Sequence, residues 1–183
     1  MVLVFSIDIG IRNTAISVLT LKTDFIFVQE VHMVSAKTNS FLGLQELSNL
    51  FLKINQQFVF DAVVYELQVS AVKGKSNANI LANKFIEAFV VGYYRSCSYV
   101  KLFGLQPAAR CRFIENILDL SKFKFSKNKH KKNKQLSEYY VKYQLEIIYY
   151  NCAATTMAAN GHKLDDIYDS IAQAMVAFER KSI

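Results

Sequence analysis

The chain opens on an apolar, β-branched run, Val2 to Ile9, that stops at Gly10, the pattern of a buried strand closed by a tight turn. Asn13 to Leu21 and Phe25 to Val31 carry the same character and meet near Thr23-Asp24, so the three runs predict an antiparallel meander. The period then changes. Leu44, Leu47, Leu50, Phe51 and Ile54 recur at helical spacing and predict an amphipathic helix over Ser40 to Gln57. Phe60 to Leu67 returns to strand character and carries Glu66 near its end. After a polar connector, Ser70 to Asn77, the pattern predicts a helix over Ala78 to Tyr94, a strand over Tyr99 to Phe103, and a helix from Pro107 through Leu118. Gln135 to Tyr150 and Leu164 to Arg180 predict two more helices, separated by the small-residue stretch Cys152 to Gly161. The outcome is an α/β chain with a mixed five-stranded sheet, three antiparallel strands followed by parallel additions, flanked by helices.

With 183 residues, 52% of them hydrophobic, the chain suffices for one well-buried core and predicts one domain over residues 1–183. Its net charge of +7 matters less than where that charge lies. Lys122 to Lys134 holds seven lysines, one histidine and no acid, and the remainder is neutral. A basic stretch at 121–134, expected as a loop, is the electrostatic footprint of a polyanion partner. Cys97, Cys111 and Cys152 are odd in number and lack zinc-finger spacing, so a reducing, intracellular setting fits. The opening apolar run has no basic leader, and no stretch reaches the roughly 18 apolar residues of a membrane span.

Three acidic positions then stand out. Asp8 lies in the most hydrophobic strand, where an unpaired carboxylate is costly and a metal would compensate it. Glu66 is likewise a charge at the end of a buried strand. Asp166 and Asp169, at i and i+3 in the last helix, are neighbours opposite the stripe Leu164, Ile167, Ile171, Ala174, Met175 and Phe178. Each has a plain alternative: a strand cap for Asp8, a surface loop for Glu66, and a solvated first turn for the aspartates. Separated carboxylates of this kind suit hard divalent cations, two of which clamp the attacking and leaving oxygens of a phosphodiester.

In combination, Asp8 on the first strand, Glu66 on the fourth and a D-x-x-D pair on the last helix resemble the ribonuclease H-like superfamily in order and element type. Within it, Ser6-Ile-Asp-Ile-Gly-Ile-Arg-Asn-Thr-Ala15 and Lys163-Leu-Asp-Asp-Ile-Tyr-Asp-Ser-Ile-Ala172 resemble the opening and closing motifs of Holliday junction resolvases of the RuvC, mitochondrial and poxvirus branch. The abundance of Lys, Asn, Ile, Phe and Tyr makes the poxvirus members the nearest in composition. The resemblance runs from Val2 to Phe178, with the middle matched by layout. It implies a metal-binding catalytic set of Asp8, Glu66, Asp166 and Asp169, with Asp165 as an alternate ligand. It also implies two Mg2+ ions per site, replaceable by Mn2+, a catalytic lysine at Lys132 or Lys134, and a homodimer acting on branched DNA. A poxvirus member would work at cytoplasmic replication sites or in the virion.

The other candidates are weaker. Arg12, Lys73, Lys75, Asn77, Lys127, Lys129, Lys131, Lys132 and Lys134 are the expected DNA contacts, with Gln68 and Asn77 beside Glu66. Lys73-Gly74-Lys75-Ser76 lacks the leading glycine of a P-loop, since Val69 stands there. Phe123 and Phe125 are expected to anchor the basic segment to the core, the tyrosine-rich helices to make core and subunit contacts, and His130 and His162 to be solvated. The leading expectation is a structure-selective endonuclease giving 5′-phosphate and 3′-hydroxyl ends. A hybrid- or flap-cutting nuclease of the same fold and a non-catalytic DNA-binding module are the alternatives.

Overall fold

β1 (Val2–Asp8) is apolar on both of its faces, and in the computed structural model it takes the centre of a five-stranded sheet ordered β3-β2-β1-β4-β5. The structure describes residues 1–23, 25–34, 40–68, 77–96, 99–147, 164–180 and 183. β1 pairs antiparallel with β2 (Thr14–Lys22), and β2 antiparallel with β3 (Phe25–Val34). On its other side β1 pairs parallel with β4 (Ala62–Glu66), which pairs parallel with β5 (Lys101–Leu105). This is the expected ribonuclease H-like arrangement.

Alternation along β1 splits the core in two. Phe5, Ile7 and Val63 face α1 (Phe41–Gln57) and α2 (Asn77–Arg95), meeting Leu47, Phe51, Ile86, Val90 and Tyr94. Val4 and Val64 face the opposite layer, formed by α3 (Pro107–Ile117), α4 (Lys129–Ile147) and α5 (Leu164–Glu179). Functional residues on β1 and β4 therefore look at one helical layer or the other, according to parity.

Several expected boundaries move. β3 continues to Val34, and β5 runs from Lys101 to Leu105, two residues later than the pattern predicted. The basic segment is not a loop throughout. After a 3-10 turn at Leu120–Lys122, α4 starts at Lys129, so Lys129, Lys131, Lys132 and Lys134 are helical. Asn128 explains this, because its Oδ1 accepts from the backbone N–H groups of His130 and Lys131 at 3.0 and 3.2 Å. Phe123 and Phe125 do anchor the preceding stretch, packing on Tyr139 with ring centroids at 4.7 and 5.6 Å.

The largest departure concerns α5. A polar side was expected at Asp166 and Asp169, but Ile167 to Ala177 is buried around the whole helix, because α4 covers the side that faces away from the sheet. The stretch Cys152 to Gly161, His162, and Lys73-Gly74-Lys75-Ser76 lie outside the described residues. No helix among the described residues is long and apolar enough to cross a membrane.

Candidate active site

In the parallel ladder Ile7 stands opposite Tyr65, so the next position in register brings Asp8 beside Glu66 at the ends of β1 and β4. Both share the face of Val4 and Val64, towards α5. The Glu66 charge next to Asp8 disfavours ionisation of Asp8. Burial, then the Glu66 charge, pushes Asp8 well above the usual carboxylate range, with Arg110 opposing and Asp166 adding to the rise. Gln68, expected at a phosphate, is buried instead and donates from Nε2 to Glu66 Oε1 at 2.9 Å, so it orients that carboxylate.

Gly10 closes the strand as expected. A Cβ there would lie 2.3 Å from the carbonyl oxygen of Asn13, and Thr14 Oγ1 donates to the Gly10 carbonyl at 3.1 Å. The turn it permits delivers Asn13, whose Nδ2 donates to Asp166 Oδ2 at 3.4 Å.

The rotation of α5 is set by a polar seam inside the core. Ser6 Oγ donates to the Ser170 carbonyl at 2.7 Å, Ser17 Oγ and Ser170 Oγ are 3.0 Å apart, and Gln173 Nε2 donates to the Ile7 carbonyl at 3.1 Å. These buried bonds, each contributing about 1 kcal/mol, fix which residues of α5 meet the strand ends. Asp169 is among them, 6% exposed. Burial pushes it up to about 6, against the lowering effect of Arg110.

Two cations answer the α5 acids. Lys134 Nζ lies 2.7 Å from Asp165 Oδ2 and 2.5 Å from Asp166 Oδ1. Burial works against its charge, but the bonds to Asp165 and Asp166 outweigh it and raise its pKa. Arg110, on α3, was not anticipated. Only 3% exposed, it sets Nη2 2.9 Å from Asp169 Oδ1 and donates from Nη1 to the Asp169 carbonyl at 2.9 Å. A charge at i−4 from buried Ile114 and beside buried Cys111 is the sequence signal that marks it.

Of the two lysines considered for a catalytic role, the structure brings Lys134 to the acids. Lys132 turns to Glu115, Nζ to Oε1 2.6 Å, and lies over the Phe125 ring. Arg12, Lys127, Lys129 and Lys131 are exposed, with Lys131 one turn before Lys134 on α4. Lys73 and Lys75 lie outside the described residues, as does the side chain of Asn77 at the start of α2.

The acids thus form two groups. Asp8 and Glu66 face each other, while Asp165, Asp166 and Asp169 are held by Lys134 and Arg110. Among the described residues no three His, Cys, Asp or Glu side chains are arranged to hold a metal ion, so the four-carboxylate cage is not drawn together. The Asp8–Glu66 pair nevertheless fits a hard divalent cation. Asp8 is buried and Glu66 half-buried, the two offer only oxygen, and a cation between them would serve both charges.

No protein-family model and no curated protein matches the sequence at a significant level. Solved structures match in fold. The fowlpox virus resolvase, in complex with substrate Holliday junction DNA, aligns over 97% of each chain with TM-score 0.63 and 19% identity. The yeast mitochondrial Holliday junction resolvase Ydc2 aligns over 93% of this chain and 75% of its own, with TM-score 0.64 and 17% identity. Thermus thermophilus RuvC, in complex with a Holliday junction substrate, aligns over 94% of this chain and 90% of its own, with TM-score 0.62 and 13% identity.

Proposed function

We propose that this chain is a metal-dependent, structure-selective endonuclease that resolves four-way DNA junctions by paired, symmetric incisions, leaving 5′-phosphate and 3′-hydroxyl ends. The observation that carries the proposal is the pairing of Asp8 and Glu66 at the ends of adjacent strands, with the Lys134-held acids of α5 forming a second group, in a sheet whose fold is shared with junction resolvases. Asp8 and Glu66 would hold a divalent cation, Mg2+ with Mn2+ as its substitute, with Asp166 and Asp169 completing its surroundings. When bound, such an ion polarises a phosphate oxygen and lowers the pKa of water.

The remaining chemistry belongs to the chain. Lys134 holds positive charge beside the acids, where it can meet a scissile phosphate and the charge that develops on it. Arg12, Lys127, Lys129 and Lys131 are exposed and supply backbone phosphate contacts without reading sequence. Buried neighbours on α5 restrict water on the core side of the site.

Symmetric cutting needs two sites related by a two-fold axis, hence a homodimer. The outer face of α2 supports one. Ala78, Leu81, Phe85, Ala88 and Gly92 repeat at three- and four-residue intervals, all exposed and uncharged, with Leu81 at 67% and Phe85 at 54%. The row is self-complementary about Phe85. An antiparallel copy sets Ala78 against Gly92 and Leu81 against Ala88.

The test incubates the full chain with labelled four-way junction, duplex, flap and RNA–DNA hybrid, with Mg2+ or EDTA. Mg2+-dependent cuts placed symmetrically on opposed junction strands are expected. Cutting confined to hybrid or flap would replace the junction role, and salt-dependent binding with no cutting would leave a DNA-binding module.

A further inference from the structure

Arg110 has no part in the chemistry described so far, yet it is the most deeply buried cation the structure describes at the site. Its guanidinium, 3% exposed, contacts Asp169 twice, at the carboxylate through Nη2 and at the main-chain carbonyl through Nη1, both at 2.9 Å. With Cys111 and Ile114, Arg110 makes up the buried side of α3. Asp169, Asp8 and Glu66 together outweigh the burial that opposes its charge.

We propose that Arg110 is a built-in cation of this site: it takes the Asp169 corner permanently, so the DNA-free protein binds one divalent ion, between Asp8 and Glu66, and not two. This rests on the proposal that the site takes a divalent cation, and departs from the two ions that the resemblance implies. The geometry argues for it in two ways. Asp169 feels the charge of Asp8, so a second ion serving both would have to sit beside it, and Arg110 Nη2 already stands 2.9 Å from Asp169 Oδ1. A second ion would then lie beside a guanidinium that cannot withdraw, and like charges in a buried site repel strongly. Asp166, the other ligand on α5, is similarly taken by Lys134 at Oδ1 and approached by Asn13 at Oδ2. Among the described residues no ion pair reaches Asp8 or Glu66, which stand side by side. Arg110 is thus a positioning residue, acting through Asp169.

The experiment counts bound Mn2+ on the full chain without DNA at neutral pH, from the loss of the free-ion electron paramagnetic resonance signal at saturation. Wild type should hold one ion per chain, and Arg110→Lys, which keeps a cation, should also hold one. Arg110→Gln should hold two, its fold checked by circular dichroism. Two ions on wild type, or one on folded Arg110→Gln, would overturn the inference. If Arg110→Gln does not fold, the wild-type and Arg110→Lys counts still decide it. No bound ion at all would instead sink the divalent-cation proposal on which the inference stands, a result distinct from a count of two.

Discussion

At the scale of single residues, the site is a problem in compensating charge. Five carboxyl groups, Asp8, Glu66, Asp165, Asp166 and Asp169, meet two cations, Arg110 and Lys134, within or against a hydrophobic layer. Lys134 is the cation open to solvent, because it is half-buried at the start of α4, whereas Arg110 is enclosed. Replacing Lys134 by Met should slow cleavage by about 10²- to 10³-fold, the loss typical of a stabilising donor, while junction affinity falls only a few-fold. Lys132→Met is the matched control. Its Nζ is spent on Glu115, so its cleavage rate should stay within a few-fold of wild type. Single-turnover rates and filter-binding isotherms on one junction separate the two effects, and equal losses in both variants would remove the special place of Lys134. The acids were legible in the sequence because a charge ending an apolar strand calls for a partner. Arg110 carries only the mark of a charge among apolar positions of α3, and its role is not legible because its partner lies 59 positions away and only folding brings α3 against α5.

At the scale of elements, period-two runs located the strands, and the order of runs gave the sheet. Where the outcome differed, tertiary contact overrode local pattern. The lysine run hid the start of α4, since its cap rests on Asn128 alone among cationic neighbours. The acids of α5 read as a polar face, yet α4 and the Ser6, Ser17, Ser170 and Gln173 seam bury that helix on all sides. The converse holds for α2, whose outer row of Ala78, Leu81, Phe85, Ala88 and Gly92 has no cover within the described residues. Because Leu81 and Phe85 are more than half exposed, changing both to Glu should leave the monomer's fold intact. In a dimer packed through this face, four new like charges would meet. Sedimentation should therefore show a dimer for wild type and a monomer for Leu81→Glu/Phe85→Glu. A variant that remains dimeric would place the two-fold elsewhere.

At the scale of the whole molecule, metal, pH and stability are linked. Asp169 is pushed up to about 6 by burial, and Asp8 is raised well above its ordinary value by burial and Glu66. A carboxyl group whose pKa rises on folding stabilises the fold while protonated, and that stability is lost as pH climbs from near 4 through the folded value. For Asp169 the loss is on the order of 3 kcal/mol. A divalent ion held by Asp8 would compete with the proton there and offset part of that loss. The increase in Tm on adding Mg2+ or Mn2+ should thus be larger at pH 7.5 than at pH 5, as followed by differential scanning fluorimetry against EDTA controls. An equal or reversed difference would contradict the coupling of metal and protons at Asp8. The central claim is that the carboxylate cluster around Asp8 cuts DNA junctions, and one gel tests it most directly. A four-way junction labelled on each strand is incubated in Mg2+ with wild type and with Asp8→Asn. Paired, symmetric nicks from wild type, absent with Asp8→Asn although the junction is still bound, are the predicted result. Junction cleavage that survives in Asp8→Asn, or its absence in both, would contradict the account.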